Sequence, residues 1–181
     1  MPQVAGSSPV ARSVKSFDRV SFFIIEMRFY FAYGSNMNPA RLIERGVEFS
    51  QMKPALLKGY KLTFNKICRS YGEGYGCATI EPSENGKVEG ILFELVNPSL
   101  AIKNLDGYEG YPYHYDRIIV EVETTEGIQK AVTYIANPWV LGRNLFPHPR
   151  YLAHLLVPCE KGFLSKEYCK ELQKWKLKIE G

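Results

Sequence analysis

The chain has 181 residues, 45% of them hydrophobic and 13% aromatic, enough apolar surface for one folded domain and too much for a disordered chain. Its 23 basic residues only slightly outnumber its 19 acidic ones and are scattered, so the concentrated basic face of a nucleic-acid binder is missing. No run approaches the roughly 18 apolar residues of a membrane span, and a small-molecule partner is expected rather than a nucleic acid or a membrane.

Residues 1–26 stand apart. Positions 1–16 are rich in Pro, Gly, Ser and Ala without helical or strand periodicity, and the apolar run VSFFII ends in Glu26-Met27-Arg28 with no signal-peptide cleavage pattern. The peptide VAGSSPVAR also looks like a transfer-RNA gene read as coding sequence. The expectation is a natural start at Met27, with residues 1–26 a misassigned or disordered extension and 27–181 a single domain.

From there the elements follow in order. Residues 28–33 alternate and are aromatic, which predicts a strand. A short helix is expected over 39–45, with Asn38 as its cap, Pro39 in its first turn and Gly46 at its end. Segments 57–66 and 76–81 read as strands around a glycine-rich loop, and Asn85-Gly86 predicts a hairpin turn into a strand over 87–96. Asn97-Pro98 opens a helix that Asp106-Gly107 is expected to close. Segments 115–123 and 128–136 form a second hairpin, 138–149 a loop, and 150–156 and 166–176 two helices, the last with Tyr168, Leu172 and Trp175 on one face. About six strands and four short helices predict an α+β fold, a small mixed, barrel-like β-sheet with short helices packed around it.

The four cysteines lack zinc-site spacing and are expected as reduced, mostly buried thiols in a cytoplasmic protein. The three histidines form no metal motif, so a catalytic metal is not expected.

Two places carry possible chemistry. The loop Tyr33-Gly34-Ser35-Asn36-Met37 joins a strand to a helix start, where glycine permits an unusual backbone angle and successive N–H groups can hold an anion. Taken alone, such a junction is more often just a capped turn. The second place is the stretch 105–117, where Tyr108, Tyr111, Tyr113, His114 and Tyr115 crowd one carboxylate, Glu109. Such walls favour the neutral acid and raise its pKa toward that of a general base. Asp106 is explained as a helix-end turn former.

FAYGSN near the start, followed by GYGCATI, KVEGILFEL, LDGYEG, Y-x-R-x-x-V-x-V and the tail PHPRYLAHLL, resembles the γ-glutamylcyclotransferase family over most of residues 27–175. The resemblance implies a metal-independent enzyme without cofactor that cyclises a γ-glutamyl amino acid or amine to 5-oxoproline and releases the free amine. It implies that Tyr30, Phe31, Ala32, Tyr33, Gly34 and Ser35 hold the glutamyl moiety, that Glu109 accepts the proton and that Tyr151 binds substrate. Asn36 completes the motif and is expected to brace the loop. Pro112, the extra tyrosines after Glu109 and the long connection over 134–150 are the expected places for substrate preference. A homodimer is one arrangement open to such a protein. The competing class is a module that binds a γ-glutamyl or pyroglutamyl group without turnover, and a buried base at Glu109 separates the two.

Overall fold

The computed structural model describes residues 26–180, the side chains of 177–180 excepted, so the extension expected over 1–26 lies outside the described residues but for Glu26. Five strands, β1 (Phe29–Ala32), β2 (Phe49–Ile67), β3 (Gly76–Leu95), β4 (Tyr115–Thr124) and β5 (Gly127–Ala136), close into a barrel in the order β1-β3-β2-β4-β5. Neighbours run antiparallel except β1 and β5, which meet in parallel where Tyr30 faces Val132. Closure removes the exposed strand edges that a short sheet would otherwise present.

Four helices flank the barrel: α1 (Pro39–Glu44), α2 (Pro98–Glu109), α3 (Pro149–Glu160) and α4 (Lys166–Glu180). Asn38 and Asn97 cap α1 and α2 by accepting from the backbone N–H of Ala40 and Leu100, and a proline follows each cap. Phe31, Phe93, Ile91 and Leu92 from the strands and Ile102, Leu105, Leu152 and Leu155 from the helices are fully buried in one core. Leu172 on α4 is buried there too, with Tyr168 and Trp175 packed beside it, as the helical period predicts.

The α+β barrel is as expected; its strand count is not. Asn85-Gly86 makes no hairpin, because the chain on either side pairs with the same strand. Lys87 faces Lys58 and Pro82 faces Tyr60, so residues 83–86 bulge out opposite Gly59 and two expected strands merge into β3. The real turn of this hairpin lies around the 3-10 turn Arg69–Tyr71, and β2 begins well before residue 57, through Pro54.

The cysteines are also not free thiols. Cys68 bonds to Cys77 and Cys159 to Cys169. Pairing of Ile67 with Gly76 sets the first two cysteines side by side at the hairpin mouth, and the packing of α3 on α4 brings the second two together. The thiol argument for a reducing compartment therefore lapses. Among the described residues no helix is long and apolar enough to cross a membrane.

Candidate active site

A cavity of about 460 Å³ opens beside the β1–α1 connection. One wall is the segment Tyr33 to Asn36, another the end of α2 with Glu109, a third the β2–β3 hairpin with Lys66 and Tyr71, and Tyr151 enters from α3. Of the expected glutamyl-binding residues, Tyr30, Tyr33, Gly34, Ser35, Asn36 and Tyr151 line it. Phe31 and Ala32 do not: both are wholly buried core residues of β1, alternating with or adjoining the positions that face the cavity.

Of the two expected reasons for Gly34, an unusual backbone angle and a close approach, the structure gives a close approach, made by Tyr151. Its φ is −112°, open to any residue, but a Cβ there would stand 3.1 Å from Tyr151 Oη and 3.2 Å from Ala78 Cβ. The glycine lets the phenol approach the backbone. Tyr151 Oη accepts the Ala78 N–H at 2.9 Å and is further held by Ser35. Burial pushes its pKa up to about 12, the Ala78 N–H pulling the other way. With its oxygen occupied by donors, the phenol's own proton is left for a ligand.

Glu109 is the last residue of α2, and Gly110 ends the helix in the left-handed conformation with φ 67°. Asp106 therefore sits within the helix rather than closing it. Its Oδ1 accepts from Tyr134 Oη at 2.7 Å and pairs with Arg117 Nε at 3.6 Å, a tertiary bond in place of a turn. Arg117 stacks on Tyr111, 4.1 Å from the ring centroid, and the Tyr111–Pro112 peptide is cis.

Asn36 and Arg45 fix the carboxylate. Glu109 Oε1 accepts from Asn36 Nδ2 at 3.0 Å and from Arg45 Nη1 at 3.1 Å, and the same arginine nitrogen donates to Asn36 Oδ1 at 2.8 Å. Asn36 Nδ2 also reaches Tyr30 Oη at 2.9 Å. Asn36 thus braces the acid as much as the loop. Burial raises the Glu109 pKa above the usual carboxylate value; Arg45, Asn36 and Lys66 oppose the shift without cancelling it. The negative end of α2 acts in the same direction as burial.

The rings that desolvate Glu109 are mostly not the predicted ones. Tyr108, His114 and Tyr115 line the cavity, whereas Tyr111 and Pro112 do not and Tyr113 is 75% exposed. Tyr30, Tyr33, Tyr71, Tyr134 and Tyr151 add to the wall from elsewhere in the chain. Tyr33 donates to the Tyr134 carbonyl at 2.5 Å and Tyr115 to the Ala78 carbonyl at 2.8 Å, which makes them scaffold. Of the connection expected over 134–150, Tyr134 lines the cavity, while Leu141 and Phe146 bridge to Lys66 and Tyr75 and brace the hairpin. Sequence reasoning missed Arg45 and Lys66. Arg45 had a faint signal, a basic residue at the end of the helix that follows the motif, and Lys66 had none.

The barrel carries a cavity with a half-buried carboxylate in its wall. The family model described as gamma-glutamyl cyclotransferase, AIG2-like, matches residues 30–153. The Gamma-glutamylcyclotransferase of Bos taurus is 30% identical over 146 residues, 79% of this chain and 76% of that protein, and the Mus musculus protein of the same name is 29% identical over 147 residues, 80% and 76%. A solved structure titled Gamma-glutamyl cyclotransferase superposes with a TM-score of 0.68 at 27% identity, covering 82% of this chain and 87% of the other. This chain belongs to the γ-glutamylcyclotransferase family.

Proposed function

We propose that the protein converts a γ-glutamyl amino acid or amine to 5-oxoproline and the free amine, with Glu109 as the proton acceptor. The observation that carries this reading is Glu109, its side chain 17% exposed, held by Asn36 and Arg45 through one oxygen and lining the same cavity as the Gly34 turn and Tyr151.

The chemistry asks little else. The α-amino group of the substrate is an ammonium with a pKa of roughly 8, and it must lose a proton before it can attack its own γ-carbonyl carbon. Asn36 and Arg45 both bind Glu109 Oε1, so Oε2 is available to take that proton. Ring closure forms the new C–N bond. As the tetrahedral centre collapses, the bond to the leaving amine breaks, the protonated Glu109 returns its proton to that nitrogen and the second proton of the ring nitrogen follows it, so the amine departs as an ammonium and the ring keeps one N–H. Arg45 favours the ionised acid before attack, and burial favours the neutral acid after it; their opposition suits a group that must do both. The Ser35 turn and the Tyr151 hydroxyl hold the glutamyl α-carboxylate and fold the substrate into its ring-closing pose.

The test is incubation with γ-glutamyl-alanine and γ-glutamyl-glycine, scoring 5-oxoproline together with the free amino acid. Equimolar release of the two products is expected. Tight binding of these dipeptides without release would show a binding module instead.

A further inference from the structure

The cavity wall carries three cations, Arg41, Arg45 and Lys66, against the single acid Glu109. Two of the three are engaged. Arg45 serves Glu109 and Asn36, and Arg41 Nη1 lies 3.3 Å from His154 Nε2. Lys66 makes no ion pair and no side-chain hydrogen bond among the described residues; its ammonium rests 5.4 Å from the centroid of the Tyr115 ring. That ring is anchored to the Ala78 carbonyl, and the N–H of the same residue holds Tyr151. Lys66 is therefore attached to the wall that holds the proposed glutamyl contacts, but it arrives from the hairpin rather than from the Gly34 turn.

We propose that Lys66 recognises the leaving half of the substrate and selects γ-glutamyl compounds whose leaving amine bears a free carboxylate. The inference rests on the cyclisation reading and deepens it. A γ-glutamyl amino acid brings one ammonium and two carboxylates. Glu109 takes the ammonium and the Ser35–Tyr151 corner takes the glutamyl carboxylate, which leaves the second carboxylate to the uncommitted cation. A γ-glutamyl amine with an uncharged leaving group would bury Lys66 further without a partner, a cost that discriminates against it. Burial already lowers the Lys66 pKa and Arg69 adds to this, while Glu109 opposes it, so an arriving carboxylate stabilises the charged form. The Cys68–Cys77 bond and the Leu141 bridge hold the hairpin that presents the residue.

The probes are γ-glutamyl-alanine and γ-glutamyl-alaninamide, which differ by one carboxylate. The unmodified protein is expected to prefer the acid by about 10- to 100-fold in kcat/KM, the range of one charged hydrogen bond. Lys66→Met is expected to collapse that ratio toward unity, and Lys66→Arg to keep most of it. Loss of the Lys66 charge also raises the Glu109 pKa, but this acts on both substrates alike and cancels in the ratio. Lys66→Gln replaces the methionine variant if that one does not fold. A parent without preference, or a methionine variant that keeps it, overturns the assignment. Calorimetric titration with the same two ligands separates the two readings. Acid-over-amide discrimination in binding without 5-oxoproline release would sink the cyclisation reading and keep the role of Lys66. Release without discrimination would do the reverse, and neither binding nor release would overturn both.

Discussion

Replacing Glu109 with Gln removes one charge and almost no volume. The glutamine oxygen can still accept from Asn36 Nδ2 and Arg45 Nη1, now at 3.0 and 3.1 Å from Oε1. Arg45 loses its ionic partner while only 12% exposed, but Asn36 Oδ1 continues to accept from it. The loss of folding stability is therefore expected to stay below the about 3–5 kcal/mol of an outright broken buried pair. Catalysis should suffer more. Glutamine cannot accept a proton at neutral pH, so the substrate ammonium stays charged and the ring cannot close. A positioned general base contributes about 10²–10⁴-fold, and the lower figure corresponds to about 2.7 kcal/mol of barrier. The assay is 5-oxoproline release from γ-glutamyl-alanine, read beside thermal unfolding and calorimetric binding of the same dipeptide. Glu84→Gln, in the exposed bulge of β3, is the comparator and should match the parent. Asp106 is unsuited to that part, because Arg117 Nε and Nη1 are buried without a hydrogen-bond partner and lean on its charge. If Glu109→Gln turns over within about threefold of the parent, far inside the expected loss, the base is another residue and the mechanism fails.

Three further outcomes are expected. Arg45→Gln removes the largest influence holding the Glu109 pKa down, and because the base must be ionised to act, the acidic limb of kcat/KM should move to higher pH; a limb that stays put would detach Arg45 from the chemistry. Tyr151→Phe deletes a hydroxyl aimed at a charged ligand group and leaves the Ala78 N–H without its partner, so KM should rise by about 10- to 100-fold, the range of one such bond; a collapsed kcat at unchanged KM would place the phenol in the chemical step. Leu105→Ala, on the fully buried face of α2, should cost about 2–5 kcal/mol in denaturant unfolding, and a loss under about 1 kcal/mol would mean that α2 is not anchored through that residue.

What the sequence by itself determined is what acts over a few residues. Asn38-Pro39 and Asn97-Pro98 start helices, Gly46 stands just past the end of one, and the Thr125-Glu126-Gly127 segment turns β4 into β5, because caps and turns satisfy backbone groups within one turn of chain. The alternation of β1 and the helical period of α4 follow likewise from short-range geometry. Tyr33 to Asn36 were legible as candidate site residues from the strand-to-helix junction and the family resemblance, and Glu109 from its aromatic neighbours and the same resemblance; the structure places them around one cavity. Tertiary structure decided the rest. Asn85-Gly86 has the composition of a hairpin turn and became a bulge, because β2 is long enough to pair on both sides of it. Asp106 looks like a helix stop, yet Tyr134, 28 residues away, supplies a partner that keeps it inside α2. Phe31 and Ala32 belong to the motif but are buried away from the cavity, and strand alternation does not decide this, since Ala32 shares a strand face with the cavity-lining Tyr30; the packing of the whole barrel does. Arg45 reaches Glu109 across 64 residues and Asn36 across 73, and Lys66 comes to the same cavity from a different hairpin. Contacts of that separation leave no periodic or capping signature, because the energy that makes them depends on the packing of the whole barrel rather than on neighbouring residues.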